Sequence, residues 1–191
     1  MSQWKGTIPW YLTALAAIPM LLTWPDPESV AEPGQTAVVS ENPVTVNVPL
    51  IEDGTYWIVA RHSGMVIEAP GCSMLAGTIM AMWPKNPEPS QRWRVKNLGN
   101  DVITLTNVQS NLLLEVTAGS SQRHAPVDQM PDTGADSQRW RVVPVGDGYF
   151  QLVNLMSGQA LDVNSGSTNP GAQVDQFPYH PVPWEQWGFM H

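Results

Sequence analysis

One uninterrupted apolar segment lies near the N-terminus of the chain. Residues 6–25 contain no charged side chain, and most of them are apolar. Twenty such residues form a helix roughly 30 Å long, which matches the hydrocarbon core of a bilayer. Trp4 and Trp10 near one end and Trp24 at the other occupy the positions typical of interfacial anchors. The pattern predicts a single transmembrane helix, a signal anchor, over residues 1–25.

The charges that flank this segment predict its orientation. Lys5 precedes it, and acidic residues follow it, beginning with Asp26. This asymmetry places the N-terminus in the cytoplasm and the rest of the chain on the extracytoplasmic side, periplasmic or extracellular. Ser29-Val30-Ala31 also fits a signal-peptidase site, so cleavage after Ala31 is the alternative. Tryptophan at both ends favours a retained anchor.

A second type of pattern covers residues 26–53. Six acidic residues, no basic residue and five prolines fall between Pro25 and Asp53. Such a stretch has too few apolar side chains for a core of its own. We therefore expect a Pro-rich acidic stalk that is extended and semi-rigid.

From Gly54 onward the pattern repeats. Gln91-Arg92-Trp93-Arg94-Val95 returns unchanged as Gln138-Arg139-Trp140-Arg141-Val142, and the third copy contains Gln186-Trp187, with its tryptophan at the same interval. The tryptophan numbers 93, 140 and 187 give two steps of 47 residues. The same step relates Glu68, Glu115 and Asp162 without gaps. Three repeats of 47 residues therefore make up residues 54–191.

Each repeat is predicted to contain four short strands. In the third repeat these are 149–154, 160–163, 173–177 and 186–189, separated by turns rich in Gly, Asn and Ser. Three such units can close into a threefold barrel that has no free sheet edge. We expect Trp93, Trp140 and Trp187 to share its core. The fold class is therefore all-β, a barrel preceded by the helix and the stalk.

Composition and charge exclude several functions. The chain has 9 basic and 17 acidic residues and a net charge of −8, which argues against a nucleic-acid partner. Its one cysteine, Cys72, excludes an intramolecular disulfide. The four histidines lack a metal-binding spacing, and no nucleophile is paired with a base in the sequence. The sequence therefore predicts no enzyme, no metal site and no cofactor.

Three motifs in tandem, Gln-x-Trp in the first two repeats and Gln186-Trp187 in the third, each preceded by a segment like Leu161-Asp162-Val163, resemble the ricin-B-type β-trefoil lectins and carbohydrate-binding modules, whose mark is a threefold Gln-x-Trp repeat. The resemblance covers residues 54–191 and implies a β-trefoil. It also implies one shallow sugar pocket per repeat, built from an acid, a second polar residue, an aromatic ring and an Asn beside the glutamine. Carboxylates and amides suit sugar hydroxyls, and an aromatic plane suits the C–H face of the ring.

On this resemblance the third repeat carries the candidate sugar site. The acid is Asp162, the polar residue is Asp175 and the aromatic is Phe177, with Gln186 from the motif. Glu185 stands where the family has Asn. The other repeats match less well, because Met130 replaces the aromatic in the second repeat and the polar position is alanine in the first. Alternatively, the three acids hold turn backbone amides.

Two functions remain open. The first is a non-catalytic, single-pass membrane accessory subunit, whose β-trefoil docks on a larger membrane complex of respiratory or photosynthetic type. Its partners would be integral membrane proteins, contacted through the helix and the trefoil surface. Incomplete sugar pockets and a proline within the helix, Pro19, favour this prediction. The alternative is a membrane-tethered or secreted lectin that binds glycans.

Overall fold

A computed structural model describes residues 49–191. In this part of the chain short β-strands alternate with single 3₁₀ turns. The strands are β1 Gly54–Ala60, β2 Val66–Glu68, β3 Thr78–Ile79, β4 Ala81–Trp83, β5 Trp93–Gly99, β6 Val102–Asn107, β7 Leu113–Val116, β8 Val127–Met130, β9 Trp140–Gly146, β10 Tyr149–Asn154, β11 Ala160–Val163, β12 Ala172–Phe177 and β13 Trp187–Met190. The 3₁₀ turns are Pro70–Cys72, Pro89–Gln91, Thr117–Gly119, Asp136–Gln138, Asn164–Gly166 and Pro183–Glu185.

Six strands form a closed ring. In order around the ring, β1 pairs with β5, β5 with β6, β6 with β9, β9 with β10 and β10 with β13. β13 then pairs with β1, with Ala60 opposite Trp187. Every strand of the ring has two neighbours, so the barrel has no free edge. The first and last strands of the domain therefore lie side by side.

Three hairpins, one from each repeat, complete the fold. They are β2–β4, β7–β8 and β11–β12, and all are antiparallel. Adjacent hairpins are connected, since β12 pairs with β4 and β8 pairs with β3. A six-stranded barrel with three hairpins and threefold pseudosymmetry is a β-trefoil, as the repeat predicted.

The three motif tryptophans lie in one core. Trp93, Trp140 and Trp187 are completely buried and belong to a single cluster of apolar side chains. Each indole Nε1 donates to a backbone carbonyl 26 residues earlier. The acceptors are Ile67 at 3.1 Å, Leu114 at 3.2 Å and Leu161 at 2.9 Å. The motif is thus a structural device that joins the ring to each hairpin, and the predicted shared core is confirmed.

The four strands predicted for the third repeat are β10, β11, β12 and β13, each within one residue of its predicted start. The last residues assigned to the stalk pack on this domain. Ile51 is buried in the core cluster, and Asp53 Oδ1 accepts hydrogen bonds from Asn97. The barrel therefore holds the chain from residue 51 onward.

The predicted transmembrane helix at 1–25 and most of the predicted stalk lie outside the described residues. Among residues 49–191, no helix has the length and apolar character needed to cross a membrane.

Candidate functional site

The hairpin β11–β12 places two carboxylates opposite each other. Asp162 on β11 and Asp175 on β12 are partners across the antiparallel pair. Both side chains are almost fully buried. Phe177 ends β12 two residues later, on the same face of the strand as Asp175. Strand register thus brings together three of the four residues predicted for sugar binding.

A cavity of about 390 Å³ opens beside these residues. Its wall includes the rings of Phe177 and Trp184, and its polar groups include Asp162. The remaining residues that line it are His124, Ser165, His180, Val182 and Glu185. The cavity therefore combines flat apolar surfaces with a few polar groups, which is the composition typical of a small-ligand site.

Two histidine rings extend the aromatic wall. The His124 ring centroid lies 4.6 Å from that of Phe177, and the His180 centroid lies 5.4 Å from it. The Arg123 guanidinium lies 5.9 Å from the centre of the Phe177 ring. These contacts limit how far the Phe177 ring can turn, so its face has a defined orientation at the cavity.

In each of the first two repeats, the acid equivalent to Asp162 is hydrogen-bonded to the glutamine of the same repeat. The amide of this glutamine donates to the glutamate, and its carbonyl accepts a backbone amide. The bonds are Gln91 to Glu68 (2.6 Å), Gln138 to Glu115 (2.7 Å), Asn86 to Gln91 (2.7 Å) and Thr133 to Gln138 (2.9 Å). These acids therefore bond to side-chain amides, and the sites they define are closed by the chain itself.

The third repeat lacks this closure. Asp162 is one methylene shorter than glutamate, and Glu185, 47 residues after Gln138, stands where the first two repeats have the glutamine. The backbone amide of His180, at the position of Asn86 and Thr133, donates to Glu185 Oε2 at 2.6 Å, as those amides do to the glutamine. Gln186, predicted as the motif glutamine, stands instead at the position of Arg139, and its Oε1 accepts from Arg61 Nη1 at 2.9 Å. Glu185 has no amide to donate to Asp162, so no glutamine closes this acid, and Asp162 lines the cavity.

Unpaired oxygens are found on both aspartates. Within residues 49–191, Asp162 Oδ1 and Asp175 Oδ1 are buried and have no hydrogen-bond partner. Asp175 Oδ2 accepts from Asn164 Nδ2 at 2.7 Å and lies 3.0 Å from His124 Nδ1. A buried oxygen without a partner costs about 1–3 kcal/mol, and a bound ligand can recover this free energy.

The same burial changes the protonation of the site. Desolvation, followed by the negative charge of Asp175 and a hydrogen bond between the two carboxyl groups, raises the pKa of Asp162 to about 9. Burial also raises the pKa of Glu185 above its ordinary value, although bonds to His180 oppose the shift. At neutral pH Asp162 therefore holds a proton. It can donate one hydrogen bond and accept another, which is what two neighbouring sugar hydroxyls require.

The fourth predicted residue has different surroundings. Gln186 does not line the cavity, and its side-chain oxygen is held by Arg61. Its part in sugar binding stays a prediction.

Sequence reasoning missed His124, His180 and Trp184. His124 belongs to the second repeat, and only the loop geometry places it beside Asp175, 51 residues later.

Comparison with known proteins identifies the family. The family model described as ricin-type beta-trefoil lectin domain-like matches residues 47–130 and 89–177. Together these matches cover more than half of the 191 residues. The chain belongs to this family. No curated protein sequence matches the chain significantly.

Solved structures agree with this assignment. The designed threefold-symmetric protein ThreeFoil is 37% identical, with a TM-score of 0.71 over 73% of this chain and 99% of ThreeFoil. An exo-β-1,3-galactanase from Clostridium thermocellum is 24% identical over 73% of this chain and 30% of that protein, with a TM-score of 0.70. The Macrolepiota procera ricin B-like lectin, in complex with lactose, is 17% identical over 74% of this chain and 97% of the lectin, with a TM-score of 0.64. The last two likenesses concern the fold.

Of the two functions predicted from the sequence, family membership supports the carbohydrate-binding alternative. None of the matched proteins supports the membrane accessory subunit.

Proposed function

We propose that the β-trefoil is a lectin module whose third repeat binds a carbohydrate. The observation that carries the proposal is the carboxyl group of Asp162, which no glutamine closes, beside the Phe177 ring in a cavity of about 390 Å³. In the other two repeats the corresponding acid is bonded to its own glutamine. One open site per chain is therefore expected.

The chemistry of the cavity suits a sugar ring. Asp162 meets two adjacent hydroxyls, as donor to one and acceptor from the other. Phe177 or Trp184 covers the C–H face of the ring. The cavity is large enough for one monosaccharide with part of its neighbour and too small to enclose a long chain. We therefore expect recognition of a terminal residue of a glycan.

The relatives suggest the first probe. The Macrolepiota procera lectin was solved with lactose, and two β-1,3-galactan- or galactose-acting enzymes share this fold. Lactose and a β-1,3-linked galactose disaccharide are accordingly the first ligands to test, followed by a glycan array.

We propose binding without catalysis. Hydrolysis of a glycosidic bond generally uses two carboxyl groups on either side of the bond. Asp175 is fully buried, and Glu185 is held by the backbone amide of His180. Neither is placed to act as the second group.

The test compares the third repeat with the second. Asp162→Ala should weaken binding roughly ten- to a hundredfold, because both the donor and the acceptor of the carboxyl group are removed. Phe177→Ala should weaken it about two- to tenfold. Met130→Ala, at the position equivalent to Phe177, is the matched control and should leave the dissociation constant unchanged. Calorimetric titration measures all four proteins. Equal affinity in wild type and Asp162→Ala would refute the site.

For localisation we propose display on the extracytoplasmic side of a membrane through residues 1–25. Support comes from the uncharged apolar stretch and its flanking tryptophans. Membrane fractionation with mass spectrometry of the N-terminus tests it. An N-terminus directly after residue 31 would replace the anchor with a cleaved signal.

A further inference from the structure

Three metal-ligating side chains meet at the edge of the cavity. His124 comes from the loop before β8, Asp162 from β11 and Asp175 from β12. One potential ligand atom from each lies within 4.8 Å of the other two. Among residues 49–191 this is the one group of three such side chains with that spacing.

The two aspartates have spare ligand atoms that point to an absent partner. Asp162 Oδ1 and Asp175 Oδ1 are buried and accept no hydrogen bond in the described part of the chain. The exposed fractions of the two residues are 3% and 0%. Asn164 holds the other oxygen of Asp175, which fixes the orientation of that carboxylate. A cation between the aspartates would satisfy both unpaired oxygens.

The backbone at His124 is unusual for a histidine. Its φ is 56°, in the left-handed region, and the equivalent positions in the other repeats are Gly77 and Gly171, with φ of 79° and 84°. All three make the same backbone bond to the adjacent repeat, from His124 to Gln176 and correspondingly in the others. Glycine is the residue that this position favours. The second repeat has an imidazole there instead, and it lies against the third repeat's acids.

We propose that His124 Nδ1 and the carboxylates of Asp162 and Asp175 bind one divalent transition-metal ion, for which Zn²⁺ is the representative. One imidazole nitrogen with two carboxylate oxygens suits Zn²⁺ better than Ca²⁺, which takes oxygen ligands alone. Zn²⁺ holds such ligands at about 2.0–2.2 Å. Carboxyl groups bind metal in their deprotonated form, so the ion would displace the proton that Asp162 holds in the metal-free protein. The His124 side chain is half exposed and can turn to meet this distance.

Three protein ligands leave at least one coordination position open on the side of the cavity. Zn²⁺ commonly keeps such a position for water or substrate. In this chain a sugar hydroxyl would fill it, so the ion and the Phe177 ring would hold the same glycan. This contact between the ion and a glycan rests on the proposed carbohydrate binding, whereas metal binding by itself does not depend on it.

Calorimetric titration of the full chain with Zn²⁺, after removal of metal by a chelator, tests the site without any glycan. We expect one ion per chain. Asp162→Asn and His124→Gly should each weaken binding at least tenfold. Two control variants should bind like wild type. Asp128→Asn changes the position equivalent to Asp175 in the second repeat, and His191→Gln removes a histidine elsewhere.

His124→Gly is expected to fold, because glycine occupies the same position in the other two repeats. Its thermal unfolding midpoint should equal or exceed that of wild type. His124→Asn serves as a second variant, since asparagine also tolerates this backbone conformation. Absence of Zn²⁺ binding by wild type, or undiminished binding by both variants, would overturn the proposal. The cluster would then be a hydrogen-bonded pair of carboxyl groups only.

Lactose titration with and without chelator separates this inference from the proposed function. Loss of lactose binding in chelator, restored by Zn²⁺, supports the metal-bridged glycan. Lactose binding by a chain that does not bind Zn²⁺ overturns the metal site and leaves the lectin proposal intact. Zn²⁺ binding without binding of any glycan on the array supports the metal site and overturns the lectin proposal.

Discussion

The second and third repeats share a framework but differ in how they use it. Both place an acid opposite an aspartate on paired strands, Glu115 with Asp128 and Asp162 with Asp175. In the second repeat the longer glutamate reaches the motif glutamine, Gln138. In the third, Glu185 replaces that glutamine, and a cavity lies beside the shorter acid. Loss of one methylene, together with the replacement of an amide by the carboxyl group of Glu185, thus separates a closed position from an open one.

The largest expected effect tests what the two repeats have in common. Trp140→Ala and Trp187→Ala should each lower the free energy of unfolding by about 3–5 kcal/mol, because both indoles are completely buried and hydrogen-bonded. Chemical unfolding measures both. Trp83→Ala, at a partly exposed tryptophan, should cost clearly less. A large difference between Trp140→Ala and Trp187→Ala would contradict the shared framework.

The second prediction removes the difference between the repeats. Asp162→Glu restores the length found in the second repeat, and Glu185→Gln restores its glutamine. The double variant should bond its glutamate to the amide at position 185 and lose glycan affinity roughly tenfold or more, which corresponds to about 1.4 kcal/mol. Its stability should not fall. Calorimetry and thermal unfolding report the two properties separately. Retained affinity in a well-folded double variant would disprove the closure argument.

The third prediction concerns Asp128 in the closed repeat. Burial, and then the charge of Glu115, raise its pKa, and its Oδ1 has no partner within residues 49–191. Asp128→Asn should therefore increase the free energy of unfolding at pH 7 by about 1 kcal/mol, since an amide replaces the buried charge and can donate to Glu115.

The sign of its pH dependence follows from the raised pKa. The folded state holds the Asp128 proton more tightly than the unfolded state does. Stability from this group is therefore complete below the ordinary pKa of 3.8 and decreases as the pH rises through the folded value. The advantage of Asp128→Asn should vanish below about pH 3.8. An advantage that persists unchanged in acid would disprove this explanation.

The smallest effect concerns the arginine that holds Gln186. Arg61 Nη2 lies 2.6 Å from Asp147 Oδ2, and Asp147 is mostly exposed. Asp147→Asn should change the free energy of unfolding by about 0.5 kcal/mol or less, and the difference should shrink in high salt. Unfolding curves at two ionic strengths measure it. A larger change would mean that the ion pair fixes the position of Arg61 and, through it, of Gln186.

The fold could be predicted because the same sequence pattern occurs three times along the chain. Three motifs in one register locate the tryptophans, the strands and the closure of the barrel without any knowledge of distant contacts. The strand register, which pairs Asp162 with Asp175, follows from the same repeat.

The details of the site could not be predicted in this way, because they depend on departures from the repeat. His124 replaces a glycine and meets Asp175 across 51 residues of sequence. Glu185, which we placed where the family has Asn, occupies the position of the motif glutamine and accepts from the backbone amide of His180. A comparison of each residue with its two equivalents would have marked both positions as unusual.

The pairing of β1 with β13 has a consequence for biosynthesis. The ring cannot close until the final strand, Trp187–Met190, has left the ribosome. Until then β1 and β10 each expose an edge that β13 will later cover. Closure therefore needs the whole domain, and a nascent chain whose Trp187–Met190 segment is still inside the ribosome offers two unpaired edges to chaperones or to other chains.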